Sequence, residues 1–247
     1  MKNSRIILIF CFSIMMSFPV FSDDFNIGVE GIDYYPIYAK RDGLYSGYAR
    51  AVLDAFAEKE GHKFTYKTLP IKRLFKGFIK GDVDFKFPDN PYWQKNLKQG
   101  KNVVYSDSVL EYIDGVIVKP KFISKGKDRL KTLGTLRGFT PWEYLDDISA
   151  KTMKLKEGSS LKGLIQMVQA NRIDGVYFNV IVAKYFMANT LSQKDSLVFD
   201  KSLPHTRGDY HMSTIKYPKI IDSFNRFLTE NKSLVESIKA KYEIPSF

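Results

Sequence analysis

The spacing of hydrophobic and polar positions changes period repeatedly along the chain, and each change marks an element. Residues 25–29 alternate as a short strand. From Tyr48, apolar side chains fall at Ala51, Val52, Ala55 and Phe56, the spacing of one helix face, and Gly61 ends the pattern. Residues 62–68 alternate again. A second helix opens at Pro70, carries Leu74, Phe75, Phe78 and Ile79 on one face and stops at Gly81; residues 83–87 form a third strand. This β-α-β-α-β order implies a parallel sheet with right-handed crossovers, in which ligands bind at the carboxyl ends of the strands. Tyr34, Tyr35, residues 69–72 and residues 88–93 fall at those ends.

The later chain repeats the order. A helix over 91–99 and a short apolar run at 103–106 precede an all-apolar strand, 115–118, predicted to cross into a second lobe. A basic loop, 120–129, leads to strands at 133–136, 153–156 and 175–178, with helices from Thr140, over 160–170 and over 179–190. Residues 209–214 alternate as a return crossing. Residues 218–242 read as one long helix with Ile220, Ile221, Phe224, Phe227 and Leu228 on a face. The expected fold class is therefore α/β, with two lobes, each a mostly parallel sheet flanked by helices, joined by two crossing strands that act as a hinge. The expected limits are residues 23–115 plus 210–247 for lobe 1 and 116–209 for lobe 2.

Two turns stand out against this pattern. In Pro88-Asp89-Asn90-Pro91-Tyr92-Trp93, Asn90 reads as a helix N-cap with Pro91 at the first helical position. In Arg137-Gly138-Phe139-Thr140-Pro141-Trp142-Glu143, Thr140 is the expected cap and Glu143 completes a capping box. The two tryptophans of the chain each lie just inside one of these predicted helix starts, which favour anions. They are expected to face each other across a cleft.

Composition adds an address and narrows the chemistry. Lys2 and Arg5 flank a basic start, residues 6–16 are apolar, and Val20-Phe21-Ser22 suits signal-peptidase cleavage, so residues 1–22 read as a secretory signal peptide and the protein as periplasmic. Cys11 follows Phe10, where a lipoprotein signal needs a small residue; the mature chain has no cysteine and so no disulfide or thiol chemistry. About 225 residues remain, and the formal charge of +11 falls to +9. The lysines are scattered, which argues against a nucleic-acid partner.

The candidate binding residues follow from these turns. Arg73 and Arg137 are candidates for gripping a carboxylate with two hydrogen bonds. Tyr34, Tyr35, Tyr92, Trp93, Phe139 and Trp142 are candidate cleft walls, read alternatively as core aromatics. Asp89 and Asn90 either bind a ligand cation or hydroxyl or simply make the turn. His205 is a candidate hinge or cleft hydrogen-bonder. His205 and His211 lie six residues apart without a ligand cluster, so no metal is expected, and no nucleophile elbow or phosphate loop occurs.

The order and spacing of Leu44-Tyr45-Ser46-Gly47-Tyr48, Pro70-Ile71-Lys72-Arg73-Leu74, Gly81-Asp82-Val83-Asp84, Val104-Tyr105-Ser106, the Gly134-to-Gly138 turn and Arg172-Ile173-Asp174-Gly175 resemble the bacterial extracellular solute-binding proteins of family 3. The resemblance spans the mature chain. It implies a type II periplasmic-binding fold closing on a small molecule, an amino acid or organic acid, with delivery to an ABC permease and no cofactor; the protein is expected to be a monomer and not an enzyme. The family's amino-acid clamp is not intact. Its small-polar run is here Pro88-Asp89-Asn90, followed by Lys95 and Lys98 but no arginine, and its ammonium-binding aspartate corresponds to Asn179. Two rival readings are a dehydratase-like enzyme using Asp89, His205, Glu111 or Glu143 as acid or base, and a ligand-sensing input to a membrane sensor.

Overall fold

The computed structural model describes residues 23–245; the signal-peptide reading of 1–22 lies outside them. The chain runs through β1 (Asp24–Glu30), a hairpin of β2 (Ala39–Arg41) and β3 (Leu44–Ser46), α1 (Tyr48–Glu60), β4 (Lys63–Leu69), α2 (Ile71–Lys80) and β5 (Phe85–Asp89). β1 pairs in parallel with both β4 and β5, as the β-α-β-α-β pattern requires. Gly61 and Gly81 end α1 and α2 in the left-handed conformation, at φ of 72° and 84°, where a side chain would be strained.

The short α3 (Lys95–Lys98), β6 (Val104–Tyr105) and the long β7 (Leu110–Val118) follow, then two 3-10 turns in the basic loop. Beyond them come β8 (Thr132–Leu136), α4 (Leu145–Ser149), β9 (Lys154–Gly158), α5 (Leu161–Gln169), β10 (Gly175–Asn179) and α6 (Val180–Tyr185). The chain closes with β11 (Val198–Phe199), β12 (Thr206–Thr214), α7 (Pro218–Glu230) and α8 (Lys232–Lys241). β8 pairs in parallel with β9 and β10.

The strands join into one sheet of order β4-β1-β5-β12-β7-β10-β8-β9. β12 lies at its centre and changes partner along its length: Thr206–Tyr210 pair with β7, whereas His211 to Thr214 pair with β5, with a register shift after His211. β7 does the same, its first half pairing with β12 and its second with β10 and β11. These are the two crossing strands of a two-lobed α/β fold. Both are longer than the runs at 115–118 and 209–214, because the polar residues at the crossing break the alternation there.

Several helix expectations are corrected. No helix starts at Pro91: the Asn90 side-chain carbonyl accepts from Tyr92 N (2.9 Å), Asn90 O accepts from Trp93 N (3.0 Å), and Gln94 at φ 49° blocks propagation until Lys95. Thr140 caps nothing. Pro141 at ψ 82° leads only into a 3-10 turn over Trp142–Tyr144, and Glu143 points away from any cap, accepting from Tyr177 (2.9 Å) and Thr206 hydroxyls. The long terminal helix breaks at Asn231, at φ −114° and ψ 32°. α6 passes into a π turn over Phe186–Thr190.

Candidate functional site

A cleft of about 870 Å³ opens at the crossing of the two halves. From the β1 side it is lined by Glu30, Tyr34 and Tyr38, by Ile71 and Phe75 of α2, and by the 90–96 turn. From the other side come Gly138, Phe139, Thr140 and Trp142, with Tyr177 and Phe178 of β10. The crossing strands supply the floor, through Tyr112 and Asp114 of β7 and the stretch from Thr206 to His211 of β12.

Of the candidate residues, the cleft brings together Tyr34, Asn90, Trp93, Phe139, Thr140 and Trp142, with Tyr92 at the mouth. Tyr34 stands at the seam: its ring lies 5.7 Å from Phe139 and 5.1 Å from Phe178, which stack on each other, and 5.1 Å from Tyr38. Trp93 contacts Tyr112 and Tyr210, themselves stacked at 4.5 Å. Trp142 is 48% exposed, so it sits at the rim and does not stack across on Trp93.

The other candidates lie outside the cleft lining, each for a local reason. Tyr35 is turned away from Tyr34 and packs between Tyr185, Tyr242 and the Arg41 guanidinium. Arg73 is exposed. Ile71 and Phe75 face the cleft, and a residue two positions along a helix from the first cannot share their face. Arg137 is exposed where β8 ends, and His205 donates to Leu203 O (3.0 Å) beside Phe199. The two arginine grips on a carboxylate are therefore not built here.

Pro88 and Asp89 are buried behind the lining. Asp89 is fully enclosed and accepts from Lys98 Nζ (2.8 Å), from Ser213 Oγ (2.7 Å) and from Asn90 N (2.8 Å), with Lys86 Nζ 3.4 Å away. Lys86 also donates to Pro88 O. Burial holds the Lys98 ammonium below its ordinary pKa, against the pull of Asp89. Asn90 reaches across with its amide to Asp209 O (3.0 Å), fixing the turn to β12. Asn179 is also fully buried: its carbonyl caps α6 at Val182 N (3.1 Å) and its amide reaches the Tyr210 hydroxyl (3.3 Å).

Glu30 and Asp114 were not among the candidates. Glu30, at the carboxyl end of β1, is 4% exposed and accepts from the Tyr38 hydroxyl at 2.7 Å. Burial raises its pKa, with Lys86 and the Tyr38 bond pulling the other way. Asp114 sits opposite Thr206 on β12 and Asn179 on β10, where the strand changes partner. Its Oδ1 is buried with no hydrogen-bond partner, and burial pushes its pKa to about 7, the Asn179 side chain opposing and Glu143 adding to the rise. The signal for Glu30 was a carboxylate at a strand end; Asp114 is an acid beside Gly115 in an otherwise apolar strand.

Known structures place this geometry. An ancestral arginine-binding protein bound to arginine superposes with a TM-score of 0.69 at 20% identity, over 89% of this chain and 97% of that one. The substrate-binding protein of an amino acid ABC transporter gives 0.68 at 22% identity, over 89% and 98%. An ancestral amino acid-binding protein, described as a precursor of cyclohexadienyl dehydratase, gives 0.68 at 18%, over 89% and 94%. No protein-family model and no curated protein matches the sequence. The likeness establishes the fold: it is the two-lobed type II periplasmic-binding fold.

Proposed function

We propose that the protein is a periplasmic solute-binding protein that traps a small polar ligand between its lobes and delivers it to an ABC importer. The carrying observation is one cleft at the strand crossing, lined from both halves of the sheet and walled by aromatics. The lobes of this reading are residues 23–115 plus 210–247 and residues 116–209, and closure comes from contacts a ligand makes to both at once. The fold's neighbours, described as binding arginine or serving an amino acid transporter, support the same reading.

The test is a thermal-shift screen of refolded mature protein, stripped of co-purifying ligand, against amino acids, polyamines, di- and tricarboxylates and sugars. A ligand at a hundred times its dissociation constant adds about 2.7 kcal/mol of stability. The expected result is a hit that also perturbs tryptophan emission and is lost in Trp93→Ala. No hit across all classes removes the reading.

One observation favours an enzyme as a second reading: Asp114, with a pKa of about 7, has the acidity of a general acid or base at neutral pH and lines the cleft. Turnover of a bound acid that disappears in Asp114→Asn is the outcome that replaces binding with catalysis.

A further inference from the structure

The charges of the cleft are not spread evenly, and their distribution bears on what the cleft accepts. The inference rests on the solute-binding reading above and asks which chemistry it serves. The lining carries three carboxylates, Glu30, Asp114 and Asp209. Its two cations are exposed at the rim: Lys95 covers the Tyr92 ring at 4.7 Å, and Arg207 pairs with Glu111 at 3.1 Å. The two buried lysines nearby, Lys86 and Lys98, both turn to Asp89 behind the lining.

Glu30 and Asp114 approach the interior from different strands. Both lie close enough to the Tyr34 and Tyr210 hydroxyls that, after burial, their charges help hold those phenols well above the ordinary range. Neither has a lysine or arginine within ion-pair distance among the described residues. An unpartnered buried carboxyl oxygen, Asp114 Oδ1, is costly unless something arrives to pair with it. The cleft that Asp114 lines also carries Tyr34, Trp93, Phe139, Phe178 and Tyr210, aromatic rings of the kind that attract cations through their quadrupoles.

We infer that the ligand is an organic cation, an amine or guanidine whose charged head sits between Glu30 and Asp114 against the aromatic walls, and that it needs no carboxylate. The absence of an arginine from the cleft interior and the exposed positions of Arg73 and Arg137 fit a ligand without an acid group. Thr140 remains as a hydrogen-bonding group for the distal end of such a molecule.

Matched pairs that differ by one carboxylate test this directly. Calorimetric titration of the refolded mature protein compares agmatine with arginine, and 1,4-diaminobutane with ornithine, alongside tetramethylammonium, glutamate, citrate and glucose. The expected result is that a decarboxylated amine binds at least as tightly as its parent amino acid. Glu30→Gln and Asp114→Asn should each weaken that binding tenfold or more while melting within a few degrees of the parent. An amino acid that binds tenfold tighter than its amine, or an anion or sugar that binds best, overturns the inference and leaves the solute-binding reading standing. Amine binding that neither variant weakens also overturns it. Failure of every probe overturns both.

Discussion

Asp114 is where chemistry and stability meet at the scale of one residue. Its carboxyl has an ordinary pKa of 3.8 in the unfolded chain and about 7 in the folded protein. Between those values the folded state holds the extra proton, so its contribution to stability is complete at low pH and is lost as pH rises through about 7. The groups facing it are Glu143, Asn179 and the tyrosines 34, 112, 177 and 210. Melting temperature is expected to fall between pH 4 and pH 7 in the parent and to fall much less in Asp114→Asn, with the raised Glu30 supplying the remainder. Amine affinity should move oppositely, rising from pH 6 to pH 8 as the carboxylate forms. At Asp89 the effect is purely structural: Asp89→Ala leaves Lys86 and Lys98 buried without their counter-charge. It should cost about 3–5 kcal/mol, read from the urea midpoint. The aromatic walls at Tyr34, Trp93 and Phe139 were legible because they flank turn-forming residues at strand ends. Which way a charged side chain faces was not: Asp89 and Arg73 lie in the right segments but outside the cleft lining, and that depends on a partner 124 residues distant, Ser213, for the first and on helix phase for the second.

At the scale of elements, periodicity read well wherever burial alone sets the structure. α1 and α2 begin and end within a residue of their apolar faces and glycine stops, and α5 within a residue of the range its apolar face predicts. It failed where side-chain hydrogen bonds compete with helix formation. Asn90, Thr140 and Glu143 have the residue types of caps, yet Asn90 folds its own turn and Glu143 is taken by Tyr177 and Thr206. The hairpin of β2 and β3 has three residues per strand, too few to show alternation. The Ser160 cap on α5 is genuine, its hydroxyl accepting from Gly163 N at 3.2 Å. Ser160→Ala is expected to lower stability by about 1 kcal/mol in denaturant titration and to leave ligand affinity unchanged, since α5 lies outside the cleft lining.

For the molecule as a whole, the order of strands and crossings was readable because each α/β segment repeats the same alternation, whereas the cleft's acidic interior emerges only when β1 and β7 are brought into one sheet, with β5 and β12 between them. The closure proposed above would have a spectroscopic signature. Trp142 at 48% exposure is placed to lose water when the rim narrows, so Trp93→Phe, which leaves Trp142 as the lone indole of the described residues, should show a blue shift in emission with ligand. Small-angle scattering should show a smaller radius of gyration in the same titration.

The central place of β12 also sets a timetable. A ribosome that has released residues 23–205 has delivered β1, β4, β5 and all of β7 through β10, yet β5 still lacks its inner neighbour and Asp89 lacks Ser213. Both half-sheets wait on nine residues near the end of the chain, so the partly synthesised protein exposes unpaired strand edges until late. Nascent chains arrested before Thr206 should accordingly be cut readily by protease, and chains extended past Thr214 and α7 should resist it.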